Sequence, residues 1–287
     1  MAAVLPAKVW ASACCGGAFS IPAIITGDDA GQLSTSFSQS KIQADVTANG
    51  VWLPRDASDV SQILKIDGAH IIGDRFQAGF SIPVQTRTRE GAMGGTSSGF
   101  GDIALQGAYE YLPDWDYNPY RPKGVGFLTL TLPTGKTLEE SLPEDGGLSA
   151  RGRGYWAVGA GTVLTKSFQA WDFNSTFEVH HSFARTVGEK TYTPGYGGSF
   201  SAGAGWNTAT WRLGGAVAWN QEEGVKVSGE TQASAQRYAT GTLLASYLMP
   251  DSWTAIVSYS DQTLFGNPTT TTLSKSAMVL LQKRWAR

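Results

Sequence analysis

The chain of 287 residues lacks any uninterrupted apolar run of the roughly 20 residues that a membrane-spanning helix needs. It also carries little charge, with 16% charged residues and a formal net charge of −2. Because there is no basic field and no long run of one sign, nucleic acid is not expected as a partner. Any passage through a membrane would therefore use short tilted strands in a closed barrel.

Cysteine is scarce as well, since Cys14 and Cys15 are the only two in the sequence. A bond between two adjacent cysteines is sterically awkward, and two neighbouring thiols alone make a poor metal cage. A disulfide or free thiols in an oxidising compartment are the expected state, and lipid attachment is the alternative.

Histidine occurs three times, which leaves little for catalysis. A lipid hydrolase would need a serine and a histidine in contact, yet His181 and Ser182 are neighbours on a predicted strand and point to opposite faces. A metal site on Asp172, Glu178 and His180 is disfavoured because residues along one strand span too far for one ion. No catalytic residue, metal or cofactor is expected.

What the chain does have is alternation of apolar and polar residues, most clearly from 171 to 183. One parity of this stretch is apolar and the other is polar: Trp171, Phe173, Phe177, Val179 and Phe183 against Asp172, Asn174, Thr176, Glu178 and His180. Such a period of two predicts a β-strand with one oily face and one wet face. The 35 glycines and 10 tryptophans also fit strands with interfacial anchors.

The alternation recurs along the chain and predicts about twelve antiparallel strands. The predicted strands are 33–42, 62–72, 75–86, 100–112, 125–133, 155–166, 171–183, 198–206, 211–220, 238–248, 253–262 and 273–285. Long loops, including a polar one at 46–61 and a Gly-rich one at 87–99, alternate with short turns. We therefore expect an all-β fold, a transmembrane antiparallel up-and-down β-barrel over residues 31–287. Residues 1–30 would form either a lumen plug or a periplasmic tail.

Aromatic residues cluster at the short-turn ends of these predicted strands, as an interfacial girdle requires. The predicted girdle residues are Phe76, Tyr111, Trp115, Trp171, Trp206, Trp211, Tyr247, Trp253 and Trp285. Outer-membrane lipid is accordingly an expected partner. The last strand, ending near Trp285, also resembles the C-terminal assembly signal of outer-membrane barrels, although Ala286 and Arg287 follow it. The barrel-assembly machinery is therefore an expected partner during biogenesis.

The polar parity of the strands should line the lumen. The charged and polar candidates are Lys65, Asp67, Arg75, Arg87, Asp102, Glu110, Asp172, Asn174, Glu178, His180, Arg212 and Arg284. They would either set the permeant preference of an open pathway or pair across strands to stabilise a mostly closed interior. The sequence leaves both interpretations open.

Three short motifs resemble a known family. Residues 99–103, Gly-Phe-Gly-Asp-Ile, open a strand that ends in Tyr-Glu-Tyr-Leu at 109–112, and the next strand ends in Leu-Pro-Thr-Gly-Lys at 132–136. This stretch, 99–136, resembles the outer-membrane proteins associated with meta-pathway phenol degradation. The resemblance implies a bacterial outer-membrane transport barrel for small solutes, aromatic or hydrophobic ones among them, and it supplies no catalytic residues.

A channel for passive uptake of small solutes is thus the expected function. Two alternatives remain: a structural or adhesive surface barrel with a closed lumen, whose loops 134–152 and 221–236 bind a partner, and an outer-membrane lipid hydrolase. Conductance separates the first alternative from a channel, and lipid hydrolysis separates the second from both.

Overall fold

A computed structural model describes residues 23–91, 94–114, 118, 120–141, 145–231 and 234–287 of the protein. Twelve long strands form the wall: β1 Asp29–Val46, β3 Asp59–Ile72, β4 Phe76–Arg89, β6 Ile103–Leu112, β7 Lys123–Leu132, β8 Ala157–Phe168, β9 Trp171–Ser182, β12 Tyr196–Asn207, β13 Trp211–Glu222, β16 Gln236–Met249, β17 Trp253–Asp261 and β18 Thr271–Ala286. Two short strands, β2 Trp52–Pro54 and β5 Gly95–Phe100, extend the wall beside β1 and β4. No helix in this described part is long and apolar enough to cross a membrane.

The wall closes on itself because β18 pairs antiparallel with β1, from Gly31 opposite Trp285 to Val46 opposite Thr271. Every other pair of neighbours in the wall is also antiparallel, and the order around the barrel follows the chain. Closure leaves no long unpaired strand edge, which is the requirement for a sheet that spans lipid. The predicted antiparallel barrel of twelve strands is confirmed.

The two ends of the barrel differ. The short-turn end carries the connections 73–75, 113–122, 169–170, 208–210 and 250–252, together with the start of β1 and the end of β18. The long-loop end carries 47–58, 90–102, 133–156, 183–195, 223–235 and 262–270. Segments of loops 183–195 and 223–235 form a separate four-stranded sheet, with β10 Arg185–Val187, β11 Lys190–Thr193, β14 Lys226–Val227 and β15 Glu230–Thr231.

The prediction of a loop over 87–99 is wrong, because β4 continues to Arg89 and β5 pairs back onto it. Hydroxyl groups support the pairing, with Thr86 bonded to Ser98 at 2.8 Å and Thr88 to Thr96 at 3.1 Å. β5 and β6 act as one strand with a break at residues 101–102, opposite Pro83. Proline has no N–H to give to a ladder, so a break at this position costs no hydrogen bond.

The outer face of the wall is apolar and the inner face is polar. On β9, Phe173, Phe177 and Val179 are 50%, 52% and 47% exposed, whereas Glu178 and His180 are 0% and 3% exposed. A protein in water would place these faces the other way round. The inverted pattern is the one that a barrel surrounded by lipid requires.

Candidate channel interior

All twelve predicted lumen residues lie in the described chain, and none of them is exposed. Asp67, Arg87, Glu178 and His180 are almost completely buried. Arg75 lies in the turn before β4, and Asp102 lies at the break between β5 and β6. The remaining candidates lie on the polar parity of wall strands. Their role in passing a solute stays a prediction.

Charges on the inner face pair across and along strands rather than standing alone. The ion pairs are Lys65–Asp67 at 3.0 Å, Arg87–Asp59 at 2.6 Å, Lys123–Glu110 at 3.2 Å, Arg212–Asp172 at 2.5 Å and Arg284–Asp29 at 3.4 Å. Burying ions is costly unless each has a partner, so such pairing is what an interior of low water content needs. Because each pair combines one positive and one negative side chain, these pairs place many charges on the inner face but add no net charge.

Asp102 fastens the long loop 133–156 to the wall. One carboxylate oxygen accepts the backbone N–H of Gly135 at 2.9 Å, and the other accepts those of Arg153 at 2.6 Å and Gly154 at 3.0 Å. The carboxylate therefore holds both stems of the loop at one point. Burial raises the pKa of Asp102 and outweighs these backbone hydrogen bonds, which act to lower it.

Arg153 carries the same loop across to β13. Its guanidinium donates two hydrogen bonds to Glu222, at 2.9 and 2.8 Å. His180 lies 2.9 Å from both Glu222 and Glu178, so the cluster continues down the inner face of β9. Gly197 leaves the space for it, because a Cβ there would lie 2.3 Å from the Glu222 and His180 side chains. The loop thus bonds to a strand three positions away from β8.

The opposite side of loop 133–156 contacts β4 and β5. Arg89 donates to the carbonyl of Gly146 at 3.1 Å, and Arg151 donates to the Ser97 hydroxyl at 2.7 Å. Within the loop, Leu148 and Ala150 are 6% and 0% exposed. Because its contacts reach from β4 to β13, the loop folds inward over the long-loop end of the barrel.

Two ionisable groups within this loop respond to its compact fold. Tyr155 donates to Glu139 at 3.4 Å, and burial together with the Glu139 charge raises the pKa of the Tyr155 phenol. The pKa of Asp145 is lowered: burial acts to raise it, but hydrogen bonds from Ser149, Gly147 and Leu148 outweigh that effect. The sequence analysis predicts a loop at 134–152, and its inward folding is seen only in the structure.

At the short-turn end, residues 23–28 enter the barrel before β1 begins. Ile25 is 3% exposed, and its backbone N–H and carbonyl both bond to the Gln77 amide, at 2.8 and 3.1 Å. Ile24 packs against an apolar cluster on β6 and β7 that includes Val125 and Phe127. The plug prediction for residues 1–30 stays a prediction, and residues 1–22, with Cys14 and Cys15, lie outside the described residues.

The predicted girdle residues lie on the outside of the barrel at its short-turn end. Eight of the nine are described and exposed: Phe76, Tyr111, Trp171, Trp206, Trp211, Tyr247, Trp253 and Trp285. Trp115 lies outside the described residues. The rings of Trp211 and Tyr247 pack with their centroids 4.7 Å apart. Trp206 on β12 lies opposite Trp171 on the adjacent strand β9. Their contact with lipid headgroups stays a prediction.

The residues considered for hydrolysis and for metal binding do not come together in one site, although His180 contacts Glu178. The His181 ring packs on Phe183 and Tyr196, with centroids 5.6 and 4.5 Å away, while Ser182 is 1% exposed. Asp172 pairs with Arg212 at the other end of β9 from His180. Among the described residues no group of three or more acidic, histidine or cysteine side chains is arranged to hold a metal ion.

One solved structure shares this architecture along nearly its whole length. It is an outer membrane channel from Pseudomonas putida F1, with 13% identity, a TM-score of 0.74, and coverage of 92% of this chain and 97% of that chain. The chain has the fold of a bacterial outer-membrane channel. This similarity confirms the barrel fold, and the fold agrees with the predicted location in the bacterial outer membrane.

Two further solved barrels match with lower TM-scores. The beta domain of the Bordetella autotransporter Brka has 15% identity and a TM-score of 0.49, over 90% of this chain and 100% of that one. The NanC porin has 6% identity and a TM-score of 0.48, over 87% of this chain and 98% of that one. No family model matches the chain, and no curated protein matches its sequence.

Proposed function

We propose that this protein is an outer-membrane channel through which small solutes cross passively. The observation that carries the proposal is a closed barrel whose outer face is apolar and whose inner face holds paired charges beside open space. A cavity of about 390 Å³ lies between residues 23–27 and the inner faces of β1, β3 and β18. A barrel of twelve strands is wide enough to enclose such space.

Two elements narrow the interior without filling it. Loop 133–156 lies over the long-loop end, and residues 23–28 lie inside the short-turn end. Paired charges on the inner face replace part of the hydration that a solute loses on entry, which is how polar pore linings select permeants. The route proposed here uses no catalytic step, cofactor or metal.

Partners follow from the same proposal. The aromatic girdle would hold the barrel at the level of the lipid headgroups, and the strand ending near Trp285 would be recognised by the barrel-assembly machinery. The structurally similar protein from Pseudomonas putida F1 is described as an outer membrane channel, which supports the proposal that this protein is a channel. Aromatic or hydrophobic permeants rest on the motif resemblance alone.

A surface-binding role is the second candidate, and one observation favours it. Strands β10, β11, β14 and β15 form a small sheet beyond the long-loop end of the wall. A sheet of this kind presents side chains away from the membrane, where a partner could dock. In that case the lumen would conduct nothing.

The test is single-channel recording in a planar bilayer with the purified full chain and with a chain lacking residues 1–28. Stepwise current from the full chain is expected, and a larger current is expected after truncation because residues 23–28 lie in the pathway. Heat-modifiable migration in detergent checks that both chains form the barrel. Absence of current from both folded chains would contradict the channel and favour the surface-binding role.

A further inference from the structure

The inner face of β1 forms a polar groove. Its inward-pointing residues include Ser34, Ser36, Ser38 and Ser40, four small hydroxyl side chains in succession. Longer side chains flank them on the two neighbouring strands. Asp67 and Gln282 lie opposite Ser34, and Lys65 and Leu280 lie opposite Ser36. Small residues between longer ones leave a trough along the middle strand.

The cavity of about 390 Å³ lies at the Ser34 end of this trough. Its polar lining includes Ser34, Lys65, Asp67, Gln282 and Arg284, and Ala23, Ile24, Ile25 and Leu280 add apolar surface. Since a water molecule occupies about 30 Å³, the space holds on the order of ten waters. A solute of amino-acid size therefore fits the cavity together with several waters.

Asp67 is a charged residue of the lining that has one unpartnered oxygen. Its side chain is 7% exposed, and Lys65 lies 3.0 Å from its Oδ2 atom. Its other oxygen, Oδ1, is buried and accepts no hydrogen bond from any described residue. A buried acceptor without a donor costs free energy, so a donor carried by water or by a solute is needed at this position.

A small cluster on the inner faces of β6 and β7 has the contrary character. There Ala108, Val125 and Phe127 form an apolar cluster, and Ile24 packs on it. Phe127 lies so close to Gly161 that a Cβ on the glycine would meet its ring at 2.4 Å. Residues 23–28 thus cover this apolar cluster through Ile24.

We infer that solutes pass along the polar groove of β1 and that the preferred permeants are small zwitterions. Lys65 and Arg284 face the anionic group of such a solute, and Asp67 faces its cationic group. Ile24 covers the apolar cluster on β6 and β7, so the open space is lined mainly by polar side chains. This inference rests on the proposed channel function and names its solute class.

The location of the pathway is tested by modifying a cysteine after folding. Ser34→Cys is made in a chain in which Cys14 and Cys15 are serine, and a negatively charged methanethiosulfonate reagent is added to open channels. The current is expected to fall at least threefold. Ala108→Cys, in the apolar cluster on β6 and β7, is the matched control, and the channel with this change should keep its current. Ser36→Cys provides a second position if the first variant assembles poorly.

The charges of the groove are tested by reversal potentials in a salt gradient. Asp67→Asn removes a negative charge and should shift the reversal potential towards anion preference. Lys65→Met should shift it in the opposite direction. Lys226→Met, in the outer sheet, is the control and should leave it unchanged. Serine, as the zwitterionic probe, should reduce the native current at millimolar concentration and should do so at least threefold less effectively in both groove variants.

The outcomes separate the two proposals. If the native chain carries no current, the proposed function fails. If it conducts but neither groove cysteine responds and neither charge variant shifts the reversal potential, the channel stands and the β1 pathway is overturned. If the charge variants shift the potential but serine blocks all chains equally, the zwitterion preference is overturned.

Discussion

The two ends of this barrel are narrowed by different chemistry. At the long-loop end, the ionised side chains of Asp102 and Arg153 fasten a loop through short hydrogen bonds. At the short-turn end, the neutral amide of Gln77 and the apolar side chain of Ile24 fasten the segment that precedes β1. Hydrogen bonds to charged groups are worth about 1.5–3 kcal/mol and neutral ones about 0.5–1.5 kcal/mol. The constriction at the long-loop end is therefore held more firmly than the one at the short-turn end.

Asp102 and Gln77 also differ in how much of the chain each one holds in place. Asp102 joins both stems of one loop, so its loss frees the entire loop while leaving the wall strands paired. Gln77 bonds to the backbone of one residue, Ile25, so its loss releases a single point of residues 23–28. Opening the long-loop end should therefore change the channel more than opening the short-turn end does.

The largest effect is expected from Asp102→Ala. This change leaves the N–H groups of Gly135, Arg153 and Gly154 without their acceptor, and the barrel should lose about 2–4 kcal/mol of unfolding free energy. Release of loop 133–156 should raise the single-channel conductance at least twofold. Planar-bilayer recording and denaturant unfolding in detergent measure the two quantities.

Asp102→Asn and Asp74→Ala complete this experiment. Asparagine keeps one acceptor oxygen and avoids a buried charge, and burial already disfavours that charge in Asp102, so the smaller loss is expected from Asn. Asp74 is an exposed residue in a short turn, and its change to Ala should alter neither quantity. A conductance in Asp102→Ala equal to that of the native chain would mean that the loop does not limit current.

An intermediate effect is expected from Gln77→Leu. Leucine fills similar volume but cannot bond to the Ile25 backbone, so residues 23–28 should leave the lumen more often. We expect more frequent transitions to a larger conductance level, with a change in unfolding free energy of about 1 kcal/mol. Gln43→Leu is the control, because Gln43 bonds only to the nearby Lys41 carbonyl among the described contacts of its side chain. Identical gating in Gln77→Leu and the native chain would contradict this role.

The wall was predictable from sequence because it obeys a period of two that is written in consecutive residues. Phe173, Phe177 and Val179 alternate with polar neighbours, and this pattern is visible without knowledge of the rest of the chain. Lipid around the barrel favours apolar side chains on the outer face, which stabilises the strand in this orientation. Strand ends were less predictable. Gly95–Phe100 is rich in glycine and serine, and only its pairing with β4 makes it a strand.

The interior constrictions could not be predicted by the same reasoning. Arg153 and Glu222 are 69 residues apart, and Gln77 and Ile25 are 52 apart. Neither contact belongs to a strand ladder, so no periodicity marks it. The residues of the predicted lumen set were found by parity, but which of them pair, and which loop meets them, depends on the closed barrel.

The smallest effect is expected from the girdle at the short-turn end, where Trp211→Ala tests its contribution. The change removes a ring that packs on Tyr247 with centroids 4.7 Å apart, and aromatic pairs contribute about 0.5–1.5 kcal/mol beyond buried area. The unfolding free energy in lipid vesicles should fall by about 1–2 kcal/mol while conductance stays constant. Tyr120→Ala is the aromatic control, because Tyr120 is 93% exposed in a turn and should contribute little. If both variants lose equal stability in vesicles, or if Trp211→Ala loses as much in detergent as in lipid, the ring does not act as an interfacial anchor. A loss confined to Trp211 and to lipid would mean that the short-turn end is held in place from outside the barrel, whereas the long-loop end is held from within.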